Sequence, residues 1–96
     1  MIVSKTYFVY IVTNRPRGIF YVGFTDDLGE RISAHKSGGG SKFTEKYNLT
    51  LLVYFESFSN PKDAIDREKR LKRWKREWKI ELIEKSNPNW AELTAF

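Results

Sequence analysis

The sequence predicts an α+β fold in which a small three-stranded antiparallel sheet is flanked by helices. Three observations predict it: two strand patterns joined by a short turn, a third strand pattern near the middle of the chain, and charged helical patterns between and after them. The chain has 96 residues, which suits a single domain over residues 1–96. Aromatic residues make up 16% of it, a share typical of a folded chain rather than a disordered one.

The strands are predicted from side-chain alternation and turn chemistry. Residues 7–13 are apolar on both alternating faces and rich in β-branched and aromatic types, which predicts a central strand covered on both sides. Residues 14–18 (Asn-Arg-Pro-Arg-Gly) are typical of a turn, so residues 19–24 are expected to return as the second strand of an antiparallel hairpin. Residues 49–58 form the third predicted strand.

The register of this hairpin decides whether two tyrosines meet, and the sequence leaves two registers open. A symmetric five-residue loop pairs Tyr21 with Ile11, whereas one bulged residue near Gly18 brings Tyr10 opposite Tyr21. Gly23 follows Tyr21 by two residues, and its missing side chain lets another group or a ligand approach closely.

A first helix is predicted after the hairpin. Asp27 is placed to cap its N-terminus, with Glu30 three residues further on as in a capping box, and the glycine-rich residues 37–41 end it. A short helical turn is expected over residues 42–47.

The longest helical pattern starts at Asn60-Pro61, a capping side chain followed by proline, and continues to about Lys85. Asn87-Pro88 stops it, but nothing between shows whether it is one helix or two. Ala64, Leu71 and Trp78 recur every seven residues and are expected to face the core. For Trp78 the alternative is an exposed ring that stacks on unpaired bases.

Composition narrows the class of protein. The sequence has no cysteine, which excludes disulfides, zinc–thiolate sites and thiol nucleophiles and favours a reducing compartment. It has no apolar run long enough to cross a membrane, so a cytoplasmic protein is expected. The net charge of +5 favours polyanionic partners, and basic residues concentrate in residues 67–79, which could equally be a solvated helix face.

Three polar side chains border the predicted core. Arg31 and His35 lie four residues apart on one helix and flank its apolar stripe, and Glu68 borders the stripe of the later helix. Two of them have a plain structural explanation: His35 as a hydrogen-bonded core histidine, and Glu68 as one half of an ordinary ion pair with one of its many basic neighbours.

The joint pattern of these and other residues favours a functional site over the separate structural explanations. It consists, in order, of Tyr10, Tyr21-Val22-Gly23, Arg31, His35, Glu68 and Asn87. Together these residues resemble the GIY-YIG nuclease superfamily over residues 7–90, and the small stand-alone branch similar to the N-terminal nuclease domain of the bacterial excision-repair protein UvrC in particular. Phe8-Val9-Tyr10 matches the first family motif, with phenylalanine and valine where the family name has glycine and isoleucine.

The resemblance implies a metal-dependent endonuclease that hydrolyses DNA phosphodiester bonds, in DNA repair or in the processing of structured DNA. The family glutamate matched by Glu68 binds a single divalent cation, Mg²⁺ or Mn²⁺, and Arg31 would neutralise the scissile phosphate. A tyrosine would activate the water. We favour Tyr10 as the base, assisted by His35, with Tyr21 positioning water or phosphate, and the reverse assignment of the tyrosines stays open.

Further residues are assigned around this centre. Asn87 matches a family asparagine near the site, although Asn87-Pro88 is also a plain helix stop. Phosphate-binding residues are expected along the rim, at Lys42, Lys46, Arg67, Arg70 and Arg73. A partner protein or a homodimer would supply target choice. The alternative function is a non-catalytic nucleic-acid-binding module that uses the basic helix 67–79.

Overall fold

The structure, a computed structural model, describes residues 5–94 and has the predicted α+β architecture. Its sheet has the strand order β2-β1-β3, and both neighbours of β1 are antiparallel to it, which confirms the predicted central strand. The strands are β1 (Tyr7–Thr13), β2 (Phe20–Thr25) and β3 (Leu51–Phe58). The helices are α1 (Leu28–Lys36), α2 (Lys42–Lys46), α3 (Pro61–Arg73) and α4 (Arg76–Ser86).

Helices cover both faces of β1, which explains why this strand is apolar on both alternating faces. Val9 and Ile11 point to one face, where they pack in a cluster with residues of α3 and α4 such as Leu71. Tyr10 and Val12 point to the other face and pack with residues of α1. The two faces therefore carry separate apolar cores, and the candidate site forms at the edge of the second one.

Neither register considered for the hairpin is correct. Tyr21 lies opposite Val12 rather than Ile11 or Tyr10, and Tyr10 lies opposite Gly23. Paired residues share a face of the sheet, so Tyr10 and Tyr21 are diagonal neighbours on one face. The two tyrosines meet without being directly paired.

The turn explains the shift. The Asn14 side chain accepts a hydrogen bond from the Ile19 backbone N–H at 2.9 Å, and the Gly18 N–H donates to the Arg15 carbonyl at 2.9 Å. Ile19 is thereby held in the turn, so β2 starts one residue later than the strand pattern suggests. A polar side chain, rather than strand propensity, sets the register.

The helix starts follow the predicted capping residues. Asp27 accepts a hydrogen bond from the Glu30 N–H at 3.1 Å, and Asn60 accepts one from the Lys62 N–H at 2.8 Å. Both side chains satisfy backbone donors that the first helical turn leaves without partners. Of the helices that the structure describes, none is both long and apolar enough to span a membrane.

The long helical pattern is two helices, which the sequence left undecided. Trp74 and Lys75 are extended, with ψ of 146° and 151°, and separate α3 from α4. The break lets α4 return to the sheet and bury Ile83 in the same cluster as Leu71. It also ends the seven-residue repeat, so the prediction that Trp78 is buried is wrong: 48% of this residue is exposed.

Candidate active site

A chain of buried hydrogen bonds runs from β1 through α1 to α2. The Tyr10 hydroxyl lies 2.9 Å from His35 Nε2, and His35 Nδ1 lies 3.1 Å from Thr44 Oγ1. All three residues are buried, with exposed fractions of 1%, 3% and 2%. Hydrogen bonds at both nitrogens fix the position and the orientation of this buried imidazole, and so fix which neighbours can exchange a proton with it.

The hydroxyl of Thr44 supports one direction of proton transfer. It lies 3.2 Å from the Ser41 carbonyl, and when it donates there it accepts from His35 Nδ1–H. In that tautomer His35 Nε2 carries the free lone pair, and the Tyr10 hydroxyl donates to it. The phenol proton of Tyr10 then points at a base.

Two glycines make room for these rings. A Cβ on Gly23 would lie 2.7 Å from Tyr10 Cε1, and a Cβ on Gly40 would lie 2.7 Å from His35 Cγ. Tyr10 thus occupies the space left by the glycine of the Tyr21-Val22-Gly23 motif, as the missing side chain at Gly23 suggested. The tight packing holds both rings against their hydrogen bond.

Tyr21 completes a group of three rings. Its ring centroid lies 6.4 Å from that of Tyr10 and 5.8 Å from that of His35. Lys72 of α3 places Nζ 5.6 Å from the centre of the Tyr21 ring. Tyr21 is only half-buried, so it connects the buried pair to the surface.

Arg31 and Glu68 bring opposite charges to the group from two different helices. The charge of Arg31 acts on Tyr10 and on His35, and the charge of Glu68 acts on Tyr10. Glu68 is largely covered, and Lys72 Nζ lies 3.5 Å from its Oε2. The structure thus brings together five of the six residues that the sequence selected as catalytic.

Burial shifts the pKa values of Tyr10 and His35 in opposite directions. It raises the pKa of Tyr10, an effect to which the nearby Tyr21 and Glu68 add and which Arg31 opposes. It lowers the pKa of His35, and Arg31 lowers that pKa further. At neutral pH the imidazole is therefore uncharged and the phenol protonated, as proton transfer from Tyr10 to His35 requires.

A hollow of about 300 Å³ opens beside Tyr21. Tyr21 and Phe43 form one wall, and Lys72 and Lys79 bring two ammonium groups to it. Burial lowers the pKa of Lys79, as does the neighbouring Arg76. A concave surface with cations beside an aromatic group suits a phosphate of a nucleic acid.

Glu68 is the side chain that fits a divalent cation in this region. Mg²⁺ binds through one or two carboxylates and keeps several waters, so a single carboxylate is a suitable anchor. Lys72 holds this carboxylate through a side chain that is 48% exposed, and such a contact is easily exchanged. Within residues 5–94 the structure shows no cluster of three or more metal-ligating side chains, so the remaining ligands would be waters and substrate phosphate.

Asn87, the sixth selected residue, lies elsewhere. Its Nδ2 donates to the Val53 carbonyl at 3.0 Å and to the Ala91 carbonyl at 2.9 Å, and its Oδ1 accepts from the Ala91 N–H at 3.0 Å. Val53 is the unpaired residue of a β-bulge in β3. Asn87 therefore joins the C-terminal segment to the strand at the other edge of the sheet from Tyr21.

The predicted phosphate-binding residues divide into two groups. Lys42 and Lys46 of α2, and Arg70 and Arg73 of α3, are exposed. Arg67 is not: its Nε and one terminal nitrogen donate to the two Glu56 oxygens, each at 2.9 Å.

This ion pair changes the properties of both partners. Burial alone would raise the pKa of Glu56, but hydrogen bonds from Arg67 and Tyr54 lower it below its usual value. Arg67 thus stabilises the fold through its contact with Glu56, and its guanidinium is not presented to a phosphate at the rim. Because the chain breaks after α3, residues 67–79 are also not the single basic helix of the alternative hypothesis.

Three residues of this region were not selected from the sequence. Thr44 looks like an ordinary residue of a short helix, and its one signal is the capping pattern with Ser41, whose side chain accepts from the Thr44 N–H at 3.1 Å. Lys72 and Lys79 counted only as members of the basic segment. Lys72 reaches Tyr21 from α3, and the position of Lys79 in the same hollow depends on the break between α3 and α4.

Comparison with known proteins identifies the class. A family model described as the GIY-YIG catalytic domain matches residues 6–81, so the chain belongs to the GIY-YIG family, as its motifs predicted. The matched segment contains both tyrosines, the Arg31–His35 pair and Glu68, and it ends before Asn87.

The relatives are small stand-alone members of this family, the UPF0213 proteins. The one from Clostridium perfringens is 40% identical over 76 residues, which cover 79% of this chain and 81% of the relative. The one from Staphylococcus haemolyticus is 36% identical over 78 residues, 81% of this chain and 94% of the relative. The solution NMR structure of the UPF0213 protein from Bacillus halodurans has a TM-score of 0.58 and 29% identity, and the match covers 91% of this chain and 92% of that one.

Proposed function

We propose that this protein is a metal-dependent endonuclease that hydrolyses phosphodiester bonds of DNA. The observation that carries the proposal is the convergence of a buried phenol–imidazole pair, a second tyrosine, an arginine and a glutamate from one hairpin and two helices. Membership of the GIY-YIG family supports the reaction class, because nucleases of this family act on nucleic acid and generally use divalent metal ions.

In the proposed reaction the Tyr10–His35 pair takes the proton of the attacking water. Water gives a proton to Tyr10 Oη while Tyr10 passes its own proton to His35 Nε2, so the phenol stays neutral and the imidazole becomes charged. The hydroxide formed in this step attacks phosphorus, and the bond to the leaving oxygen breaks. Burial and the charge of Arg31 lower the pKa of His35, so the imidazole is uncharged at neutral pH and free to take this proton, although the same effects make it a weaker base.

The other side chains handle the negative charge. Arg31 would pair with oxygens of the scissile phosphate, for which a guanidinium is well suited. Tyr21 borders the hollow and would position the phosphate or the water. A divalent cation held by Glu68 would neutralise the negative charge that develops on the leaving oxygen.

The proposed setting is the cytoplasm, with nicked, branched or damaged DNA as the substrate during repair. The net charge of +5 provides affinity for DNA without sequence preference. A partner protein or a second copy of the chain would direct the enzyme to its targets.

The test is cleavage of supercoiled plasmid and of branched oligonucleotides with Mg²⁺ or Mn²⁺. Glu68→Ala and Arg31→Ala should abolish cleavage that depends on the cation, while circular dichroism shows the same fold. Glu77→Ala and Arg15→Ala, changes at exposed residues, are the matched controls and should cut like the wild type. If all four variants cut equally, the proposed site is wrong. If every protein binds DNA and none cuts it, the chain is a binding module.

A further inference from the structure

A second surface with features of a binding site lies where α3 meets α4. Its centre is Trp78, which is 48% exposed although tryptophan is usually well covered. Two hollows flank it, one of about 460 Å³ on the side of α3 and one of about 360 Å³ on the side of α4, and Trp74 and Trp78 line both. The Trp78 ring therefore stands between two concavities.

This ring is held by contacts that reach back to the sheet. The rings of Trp74 and Trp78 meet edge to face, with centroids 6.1 Å apart. The guanidinium of Arg67 lies 5.1 Å from the centre of the Trp74 ring, and Glu56 of β3 holds that guanidinium through two hydrogen bonds. An exposed aromatic ring on a rigid support loses little entropy when a ligand stacks on it.

The charge on the α3 side of the ring is positive, whereas the hollow on the α4 side is lined by one acidic residue, Glu81, and one basic residue, Lys85. The hollow on the side of α3 is lined by Lys69, Arg70 and Arg73, with Asp66 as its one acidic residue. Lys75 places its Nζ 5.7 Å from the centre of the Trp78 ring. Cations on one side of an exposed aromatic ring suit a ligand that repeats a planar ring and a phosphate along a chain.

The surface is separate from the catalytic group. On a helix of 3.6 residues per turn, Arg70 projects roughly 160° away from Glu68, so the two residues lie on opposite flanks of α3. A nucleic-acid strand that runs over α3 would cross from one flank to the other. The same helix would thus present its carboxylate to one part of the strand and its arginines to another.

We propose that Trp78 stacks on an unpaired base and that Lys69, Arg70 and Arg73 hold the adjoining phosphates, so that the protein prefers substrates with a single-stranded segment. A base inside a duplex is covered by its neighbours, and Trp78 can stack only on an unpaired or terminal base. The inference rests on the proposed function in that it names the substrate class of that endonuclease.

The test measures binding, so that it does not depend on cleavage. Fluorescence anisotropy with labelled (dT)15 and with a labelled 15-base-pair duplex is recorded for the wild type, Trp78→Ala, Trp78→Phe and Tyr47→Ala, without a divalent cation. Tyr47 is the matched control, an exposed aromatic residue that directly follows α2. Trp78→Ala should weaken binding of (dT)15 about fivefold or more. Trp78→Phe, which keeps an aromatic face, and Tyr47→Ala should stay within about twofold of the wild type.

Duplex binding decides between stacking and charge. It should change by less than about twofold between Trp78→Ala and the wild type, because duplex contacts are made mainly to phosphates and only the terminal base pairs offer a face to Trp78. The inference is overturned if Trp78→Ala binds (dT)15 like the wild type, because the ring would then make no contact with a base. It is also overturned if Trp78→Ala weakens both ligands equally.

Failure of this inference and failure of the proposed function give different results. If the wild type cuts no DNA under any condition, the endonuclease proposal fails, but the contrast between (dT)15 and duplex still decides the role of Trp78. If Glu68→Ala abolishes cleavage while Trp78→Ala leaves (dT)15 binding intact, the endonuclease proposal stands and the stacking surface alone is rejected.

Discussion

The substitution Gly23→Ala probes the packing on which the candidate site depends. The new Cβ would lie 2.7 Å from Tyr10 Cε1 and closer still to Cζ and Oη, whereas ordinary contact begins at 3.4 Å. The ring must therefore move by about 0.7 Å or more, against a core that leaves only 1% of Tyr10 exposed. Any such movement also strains the 2.9 Å hydrogen bond to His35 Nε2.

The expected loss of stability is the difference between two opposing contributions. Overpacking of this kind costs about 1–3 kcal/mol, and the lower backbone entropy of the unfolded alanine chain returns about 0.4–1 kcal/mol. The net loss in the free energy of unfolding is about 0–2.6 kcal/mol with a centre of about 1.3 kcal/mol, which corresponds at the centre to a fall of about 5–10 °C in the melting temperature of a domain of this size. Thermal unfolding followed by circular dichroism measures it, and cleavage of DNA should fall as well.

Gly29→Ala is the matched control for this experiment. Gly29 is exposed in the first turn of α1, so alanine there is expected to leave stability unchanged or raise it by up to about 1 kcal/mol. If Gly23→Ala melts at or above the temperature of the wild type while Gly29→Ala behaves as expected, the Tyr10 ring does not cover Gly23, and the described geometry of the site is wrong.

Two further predictions concern the neighbours of Tyr10, and a third concerns Asn87. The rate of cleavage should fall at acid pH as His35 becomes protonated, with a midpoint below 6.5 because the pKa of His35 is lowered in the folded protein; a midpoint at or above 6.5 would contradict this. Thr44→Val should lower kcat about tenfold or more at unchanged DNA affinity, because His35 Nδ1–H loses its acceptor, whereas unchanged kcat would remove Thr44 from the site. Asn87→Ala should lower the free energy of unfolding by about 2–3 kcal/mol, measured in urea, and leave kcat of the folded protein unchanged; a selective loss of kcat would return Asn87 to the site.

Much of the fold could be predicted from local sequence signals. The alternation in β1 and the capping residues Asp27 and Asn60 act over a few residues, so one sequence is enough to recognise them. The break at Trp74–Lys75 could not be found in this way, because no proline or glycine marks it. It follows from the packing of α4 against the sheet, which is a long-range effect, and the exposure of Trp78 follows from the same break.

The site was predicted less completely than the fold. Tyr10, Tyr21, Arg31, His35 and Glu68 were selected because their order matches a known family, and their convergence depends on the hairpin register and on α3. The register depends on one hydrogen bond of Asn14, a contact that strand propensity does not describe. Thr44 was not selected because its contact with His35 joins residues nine positions apart, and the ion pair of Arg67 was not foreseen because its partner Glu56 lies on another element.

The central claim is that the Tyr10 hydroxyl, hydrogen-bonded to His35, takes the proton of the attacking water. Single-turnover cleavage of DNA by Tyr10→Phe tests it most directly, because this change removes one oxygen and keeps the ring that covers Gly23. The rate should fall by about 10²-fold or more at unchanged DNA affinity, while Tyr47→Phe, a change at an exposed tyrosine, cuts like the wild type. If Tyr10→Phe cuts at the wild-type rate, or if only Tyr21→Phe loses activity, the account is contradicted.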